Sequence, residues 1–224
     1  MNKTYRIGFI FLFSFILFSS GNLLNAQIGL RSIGVNLGYY TPSMDYWNDN
    51  ALGTWSDHFS GNFYGNINAE IRIIEVLNVR VGTGYWKQKI TESGIQFGDE
   101  LRSDNISVQM IPVYLDLIVR SPEKMMDLFG FYGGIGGGMN FVSMEYITDI
   151  PSMGENVQNG TGKDMLFHVI LGADYKIMQN FAIGAEFVYT FANYHQDVYS
   201  GADIIEQKVS IAGPQIMGTF KYIF

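Results

Sequence analysis

The sequence contains no cysteine. That absence excludes disulfides, thiolate metal sites and a lipid-modified N-terminal cysteine. Charge is scarce too: 16% of residues are Asp, Glu, Lys or Arg, and the net charge is −7. So acidic a balance argues against nucleic acid as a partner, because binding a phosphate backbone takes an excess of Lys and Arg. Beyond the N-terminal segment there is no apolar run of about 18 residues, so no transmembrane helix is expected. The acidic residues are scattered, with no D-x-[DN]-x-[DN]-G loop to organise calcium. The sequence implies neither a metal nor a cofactor.

What the chain has instead is apolar and aromatic residues in short segments. Some 47% of residues are apolar, 15% are aromatic and 26 are Gly. The first 26 residues read as an export signal. Lys3 and Arg6 make a basic start, Ile7 to Phe18 an apolar stretch, and Ser19 to Ala26 a polar stretch ending on a small residue before Gln27. The apolar stretch is too short to span a bilayer core of about 30 Å. Leu24 is large for the −3 position, which softens the cleavage site. Residues 27–224 then suit one domain.

That domain shows eight segments with a period of two, the signature of strands. Apolar Ile33, Val35, Leu37 and Tyr39 oppose Ser32, Gly34, Asn36 and Gly38. The second segment runs over Phe63–Ile73, the third over Val79–Tyr85 and the fourth over Ile111–Val119. The fifth covers Phe129–Phe141, the sixth Phe167–Ile177 and the seventh Phe181–Phe191. The eighth is the tail, where Ile216, Phe220, Tyr222 and Phe224 oppose Thr219 and Lys221. Short turns near 75–77, 121–127 and 178–180 alternate with long connections at 42–60, 93–105, 148–164 and 193–206. This pattern predicts an all-β, eight-stranded antiparallel up-and-down transmembrane β-barrel in a bacterial outer membrane. Phe220, Tyr222 and Phe224 belong to the strand expected to close it against the first and to carry the insertion signal for the barrel-assembly machinery.

The parity opposite the apolar one carries Arg72, Arg80, Lys176 and Lys221 against Glu70, Asp116, Asp174 and Glu186. Four cations balance four anions. Buried charges are tolerated when paired and hydrogen-bonded, and eight strands leave an interior just wide enough for side chains. A packed, self-neutral lumen is therefore expected. The long connections hold twelve acids and two bases, so nearly all the net charge lies there. They are expected among lipid and lipopolysaccharide on the outer face, and Lys87 and Lys89, outward at the top of the third segment, face lipid phosphates.

Catalytic patterns are weak. The glycine run 133–138, interrupted by Ile135, lacks both the G-x-G-x-x-G spacing and the Gly-Lys-Ser/Thr of a phosphate loop. Glycine in a curved strand makes room for bulky neighbours such as Tyr132 or Trp86. His58 in the first long connection and Ser103-Asp104 in the second are reminiscent of a lipid A palmitoyltransferase, but the Asp-Ser order is reversed. His168 and His195 lack the His-x-Ser of a deacylase. No enzyme is expected. Pro112, inside the fourth segment, removes a ladder donor and predicts a bulge or edge.

Asn25-Ala26-Gln27, Ile111-Pro112-Val113-Tyr114-Leu115, Tyr132-Gly133-Gly134-Ile135-Gly136-Gly137-Gly138, Leu171-Gly172-Ala173-Asp174-Tyr175 and the terminal Phe224 together carry a resemblance. The chain resembles the "porin family" outer-membrane β-barrel proteins of Bacteroidota, in the broad OmpX/OmpA-like group. The resemblance covers residues 27–224 and implies architecture, without catalytic residues. The role expected first is non-enzymatic: structural, adhesive or loop-presenting, with an extracellular or periplasmic protein as the partner to be sought. A small-solute channel, a component of secretion-system assembly and a lipid A-modifying enzyme are the alternatives.

Overall fold

The computed structural model describes residues 28–51, 55–122, 128–200 and 203–224, so the expected export signal lies outside the described residues. The strands are β1 (Gly29–Tyr40), β2 (Asn62–Arg72), β3 (Leu77–Phe97), β4 (Glu100–Arg120), β5 (Phe129–Ile150), β6 (Gly154–Met178), β7 (Phe181–Ser200), β8 (Asp203–Ser210) and β9 (Gly213–Ile223). All pairings are antiparallel. β1 to β7 follow one another around the wall, and β9 pairs with both β7 and β1, closing a ring of eight. Val35 stands opposite Phe220 and Ile33 opposite Tyr222, so the tail seals against the first strand as expected. β8 pairs with the far half of β7, from Asn193 onward.

Side-chain alternation sorts the wall into two faces. On β4, Leu115, Leu117 and Val119 are exposed, whereas Tyr114, Asp116, Ile118 and Arg120 are buried. Phe187 and Phe220, 41% and 50% exposed, point away from the lumen. The apolar stretch Ile111–Val119, at about 3.4 Å per residue and a tilt of about 40°, makes a band roughly 20–25 Å tall. Tyr39, Phe63, Tyr85 and Phe141 rim that band toward the hairpin end, and Phe129, Phe181, Tyr222 and Phe224 toward the end with the termini; all but the half-buried Phe181 are exposed.

The expected long connections at 93–105, 148–164 and 193–206 are not loops. β3 pairs with β4 out to Phe97 and Glu100, β5 with β6 out to Ile150 and Gly154, and β7 with β8 out to Ser200 and Asp203. They are hairpin arms that continue the wall past the band. Gly98 (φ 62°) and Gly154 (φ 78°) take the left-handed conformations that turn two of them. The alternation continues through the arms, but its polarity inverts. On β3 the outward residues change from Val81 and Tyr85 to exposed Lys87 and Lys89, while the inward ones change from Arg80 to Trp86 and Ile90. β4 changes likewise: outward Ile111 gives way to Gln109 and Ser107, and inward Asp116 to Met110, Val108 and Ile106. Hydrophobic alternation read along the sequence loses its phase at that level, which is why the arms resemble loops.

Pro112 produces no bulge. The β3–β4 ladder lapses beside it, between the pairs Thr83–Val113 and Trp86–Met110, and resumes in the same register. Proline has no N–H to give, and the Thr83 hydroxyl bonds the Pro112 carbonyl at 2.9 Å instead.

Candidate functional site: a sealed lumen and an open sheet edge

The terminus-side half of the lumen is ionic. Arg80 on β3 donates to Asp116 at 2.7 Å and to Glu186 at 2.5 Å. Asp116 also meets His168 Nε2 at 2.6 Å. A second group centres on Arg120, which grips both Glu70 oxygens at 2.5 Å and reaches Asp174 at 2.8 Å. Lys221 donates to the same Asp174 at 2.9 Å. Tyr132 joins the groups: its hydroxyl accepts from Lys221 at 3.2 Å and donates to Glu186 at 2.9 Å. Its ring also meets two cations, its centroid 4.3 Å from the Arg120 guanidinium carbon and 4.2 Å from Lys221 Nζ. Glycines in the wall clear the space. A Cβ at Gly136 would fall 2.0 Å from Asp116 Oδ1, and one at Gly172 would fall 2.2 Å from the Tyr132 ring.

Six of the eight charges expected in the lumen, Glu70, Arg80, Asp116, Asp174, Glu186 and Lys221, are buried and joined in this network. Arg72 and Lys176 instead sit half-buried near the rim at the terminus end. Two central members, Arg120 and His168, were not in the expected set. Both share the parity of an expected member on their own strand, so parity carried to the strand end would have found Arg120. His168 is counted only when histidine is included among charged groups.

The hairpin-side half is largely apolar, with Gln88 and Asp104 among its few buried polar groups. Tyr40, Tyr64 and Trp86 meet edge to face, with centroids 6.0 Å apart for Tyr40–Tyr64 and Tyr40–Trp86. Above them Ile90, Ile106, Val108, Val142, Val209 and Ile211 are buried on the inner faces of the arms. The connection between β1 and β2 folds into the mouth. Met44, fully buried with φ 48°, turns the chain into a single helical turn of π type at Tyr46–Ala51. Trp47 enters the core and donates to the Tyr194 hydroxyl at 2.9 Å. Asn48 fastens the return, bonding the Phe59 N–H and carbonyl at 2.9 Å each. Burial pushes the Tyr194 phenol well above its ordinary range. Among the described residues, a cavity of about 30 Å³ beside Tyr64 and His168 and one of about 40 Å³ at the terminus end beside Arg120 and Lys221 leave room for a water or two rather than a solute.

No hydrogen bond joins His58 to Ser103 or Asp104 among the described residues. Ser103 pairs with Ser93, and buried Asp104 is held by Arg102 and by the Tyr146 hydroxyl. A nucleophile needs its base within reach, and this trio lacks that contact.

Among the described residues, the arms leave strand edges without a ladder partner where β6 and β7 part, and the longest exposed one is on β6. β6 runs from Gly154, but its ladder with β7 begins only at Leu166–Ala192. From Gly154 to Asp164 its ladder is with β5 alone; residues 154–159 are exposed on both faces, whereas at its inner end Asp164 meets His195 Nδ1 of β7 at 3.0 Å. At the other margin of the same four-stranded sheet the first connection covers the edge. Asn62 donates to the Lys87 carbonyl at 2.8 Å, and the Ser56 N–H and hydroxyl donate to Glu92 at 2.9 and 2.7 Å.

The sequence matches no protein-family model and no curated protein. Solved structures are similar in fold. A major outer membrane protein from Thermus thermophilus aligns at TM-score 0.51 and 13% identity, covering 87% of this chain and 99% of that one. The outer membrane protein OprG from Pseudomonas aeruginosa aligns at TM-score 0.51 and 13% identity, covering 87% of this chain and 96% of the other. Both support an eight-stranded antiparallel β-barrel, and at this identity the likeness extends to fold alone.

Proposed function

We propose that the protein is an integral outer-membrane barrel, non-enzymatic, that presents an upright β-sheet to protein partners at the cell surface. The membrane part of the reading rests on the inverted polarity. Side chains facing out are apolar over a band of bilayer height and polar above it, as a wall passing from hydrocarbon into water requires. The outer-membrane barrels of matching fold agree with it. The export signal, the barrel-assembly machinery as insertion partner, and lipid and lipopolysaccharide as surroundings follow from the same reading, as does the "porin family" kinship. Packed ionic and aromatic layers with small cavities favour a closed lumen over a solute channel.

The observation that carries the presenting role is the open edge of β6 at 154–160. Unpaired N–H and C=O groups along an exposed strand are a template for an added strand. Its residues are mostly Gly and polar, with Glu155 as the charge and no Pro to block pairing. Adjacent residues of a strand direct their N–H groups to opposite edges. Gln158→Pro and Asn159→Pro therefore remove one donor facing β5 and one facing solvent. In a binding assay on cells displaying the protein, the substitution on the solvent side should abolish adhesion to an extracellular protein while the barrel stays folded. Equal adhesion by both variants and the parent would end this role.

A further inference from the structure

The outer wall has a trench where the apolar face lacks a side chain. In register across the sheet stand Leu115, Gly137 and Phe167, so the middle position carries no Cβ. Around Gly137, the side chains of Leu115, Ile135, Phe167, Val169 and Phe191 enclose a groove of about 500 Å³. All five are 45% or more exposed, so they form walls without filling the space between them. A Cβ at Gly137 would already lie 3.3 Å from the Phe167 ring.

Cations stand above the groove where the apolar band ends. Lys163 lies on the same outward face of β6 as Phe167, four residues away, or about 14 Å along the strand. Lys87 lies on the other flank. It aligns through Gln109 and Ser143 with Thr161, three inter-strand steps or about 14 Å across. Lys87, Lys89 and Lys163 are exposed. One acid, Glu145, faces out between them, opposite Ser107. The outward face thus combines an apolar slot at mid-height with three cations and one anion at its hairpin-side border.

We propose that this face is a lipid site: one acyl chain of a phosphorylated, multiply acylated glycolipid (lipid A) fills the Gly137 groove, and its phosphates meet Lys163 and Lys87. The inference rests on the membrane reading above and adds a place and an occupant to it. A chain descending from a headgroup at the level of Lys163 passes Met165 and reaches Phe167. Phosphate is favoured over a zwitterionic head because the border carries a net positive charge in an otherwise acidic protein.

The test uses the full barrel in detergent micelles, with its folded state checked by heat-modifiable migration. Diphosphorylated lipid A is added, and retained lipid is counted by native mass spectrometry. The parent should retain one lipid A per barrel and at least tenfold less phosphatidylethanolamine. Lys163→Glu, on an exposed position, should lower retention about tenfold, and Gly137→Leu should abolish it. If Gly137→Leu does not fold, Lys163→Glu decides the matter alone. A folded parent that retains no lipid A, or a Lys163→Glu variant that retains it equally, overturns the site and leaves the membrane reading standing. Equal retention of phosphatidylglycerol overturns lipid A as the occupant. A parent that stays soluble without detergent overturns the membrane reading, and the site with it.

Discussion

The two halves of this lumen share one wall and one side-chain parity, yet they are packed with opposite chemistry. Toward the termini the inside holds Glu70, Arg80, Asp116, Arg120, Asp174 and Lys221; toward the hairpins it holds Tyr40, Trp86, Ile90, Ile106 and Val108. What differs is the medium outside the wall. Where the outer face is apolar, that face is satisfied by hydrocarbon, and the inside is free to use paired charge. Where the outer face carries Lys87, Lys89 and Ser107, water surrounds the arms. Their inner faces must then supply a hydrophobic core, as in a soluble sheet. Polarity of the filling thus follows the surroundings, while the β3–β4 register set beside Arg80 holds through Trp86 and Ile90.

The ionic half offers the sharpest way to break the comparison. Arg120 serves Glu70 and Asp174 together, so Arg120→Ala leaves two carboxylates short of a partner. Removing one member of a buried pair costs about 3–5 kcal/mol. Urea titration of the folded barrel, followed by gel migration, should show a loss of that size. A change under about 1 kcal/mol would mean that water already solvates this layer.

The next effect locates the crossover itself. Leu115→Arg places a cation in the apolar band and should destabilise by roughly 2–4 kcal/mol if it lies at mid-bilayer. Gln109→Arg lies six residues away on the same face of the same strand, above the inversion, and should fall within about ±0.5 kcal/mol. Equal losses at both positions would remove the polarity boundary. A smaller effect follows from the plug in the apolar half. Trp47→Ala should expose the 41–61 connection to protease while lowering barrel stability by less than the roughly 3–5 kcal/mol that truncating a core Trp costs, because the lost contacts lie in a connection rather than in the ladder. Limited proteolysis beside thermal melting separates the two outcomes.

These expectations also mark where the sequence is legible. The wall within the band reads directly: Val79 to Tyr85 and Ile111 to Val119 alternate cleanly because hydrocarbon on one side forces a strict pattern. The pairing of Phe220 with Val35 follows from the same alternation. The arms read as loops because the pattern changes sign at Trp86 and Met110, and a period-two search keyed to one polarity stops there. The lumen network was partly legible. Parity identifies who faces inward, but depth decides who is paired, and so Arg72 and Lys176 sit at the rim while Arg120 takes the central place. The open edge of β6 has no sequence signal, since it depends on β7 leaving β6 at Ala192 to pair with β8.

The smallest effect concerns the covered margin of the sheet, opposite the open one. Glu92 on the β3 arm accepts from the Ser56 hydroxyl and N–H, and these bonds hold its carboxyl below the usual carboxylate range. A carboxyl depressed in the docked state stabilises docking above its free value of 4.5, and that contribution fades as pH falls through the docked value. The first connection should therefore stay on the β3 edge at neutral pH and loosen below about pH 4.5. The Ser56 amide resonance reports this directly. Its shift should titrate below about pH 4.5 in the parent and stay flat in Glu92→Gln. The carboxylate's share of that docking is also absent from Glu92→Gln at every pH, so its Ser56 amide should exchange with solvent faster than the parent's at neutral pH. A parent amide that never titrates, or a variant that exchanges no faster, would mean the margin is covered by uncharged contacts alone, Asn62 on the Lys87 carbonyl and the Gly61 N–H on Gln88 Oε1. The covered and open edges would then differ by uncharged contacts alone.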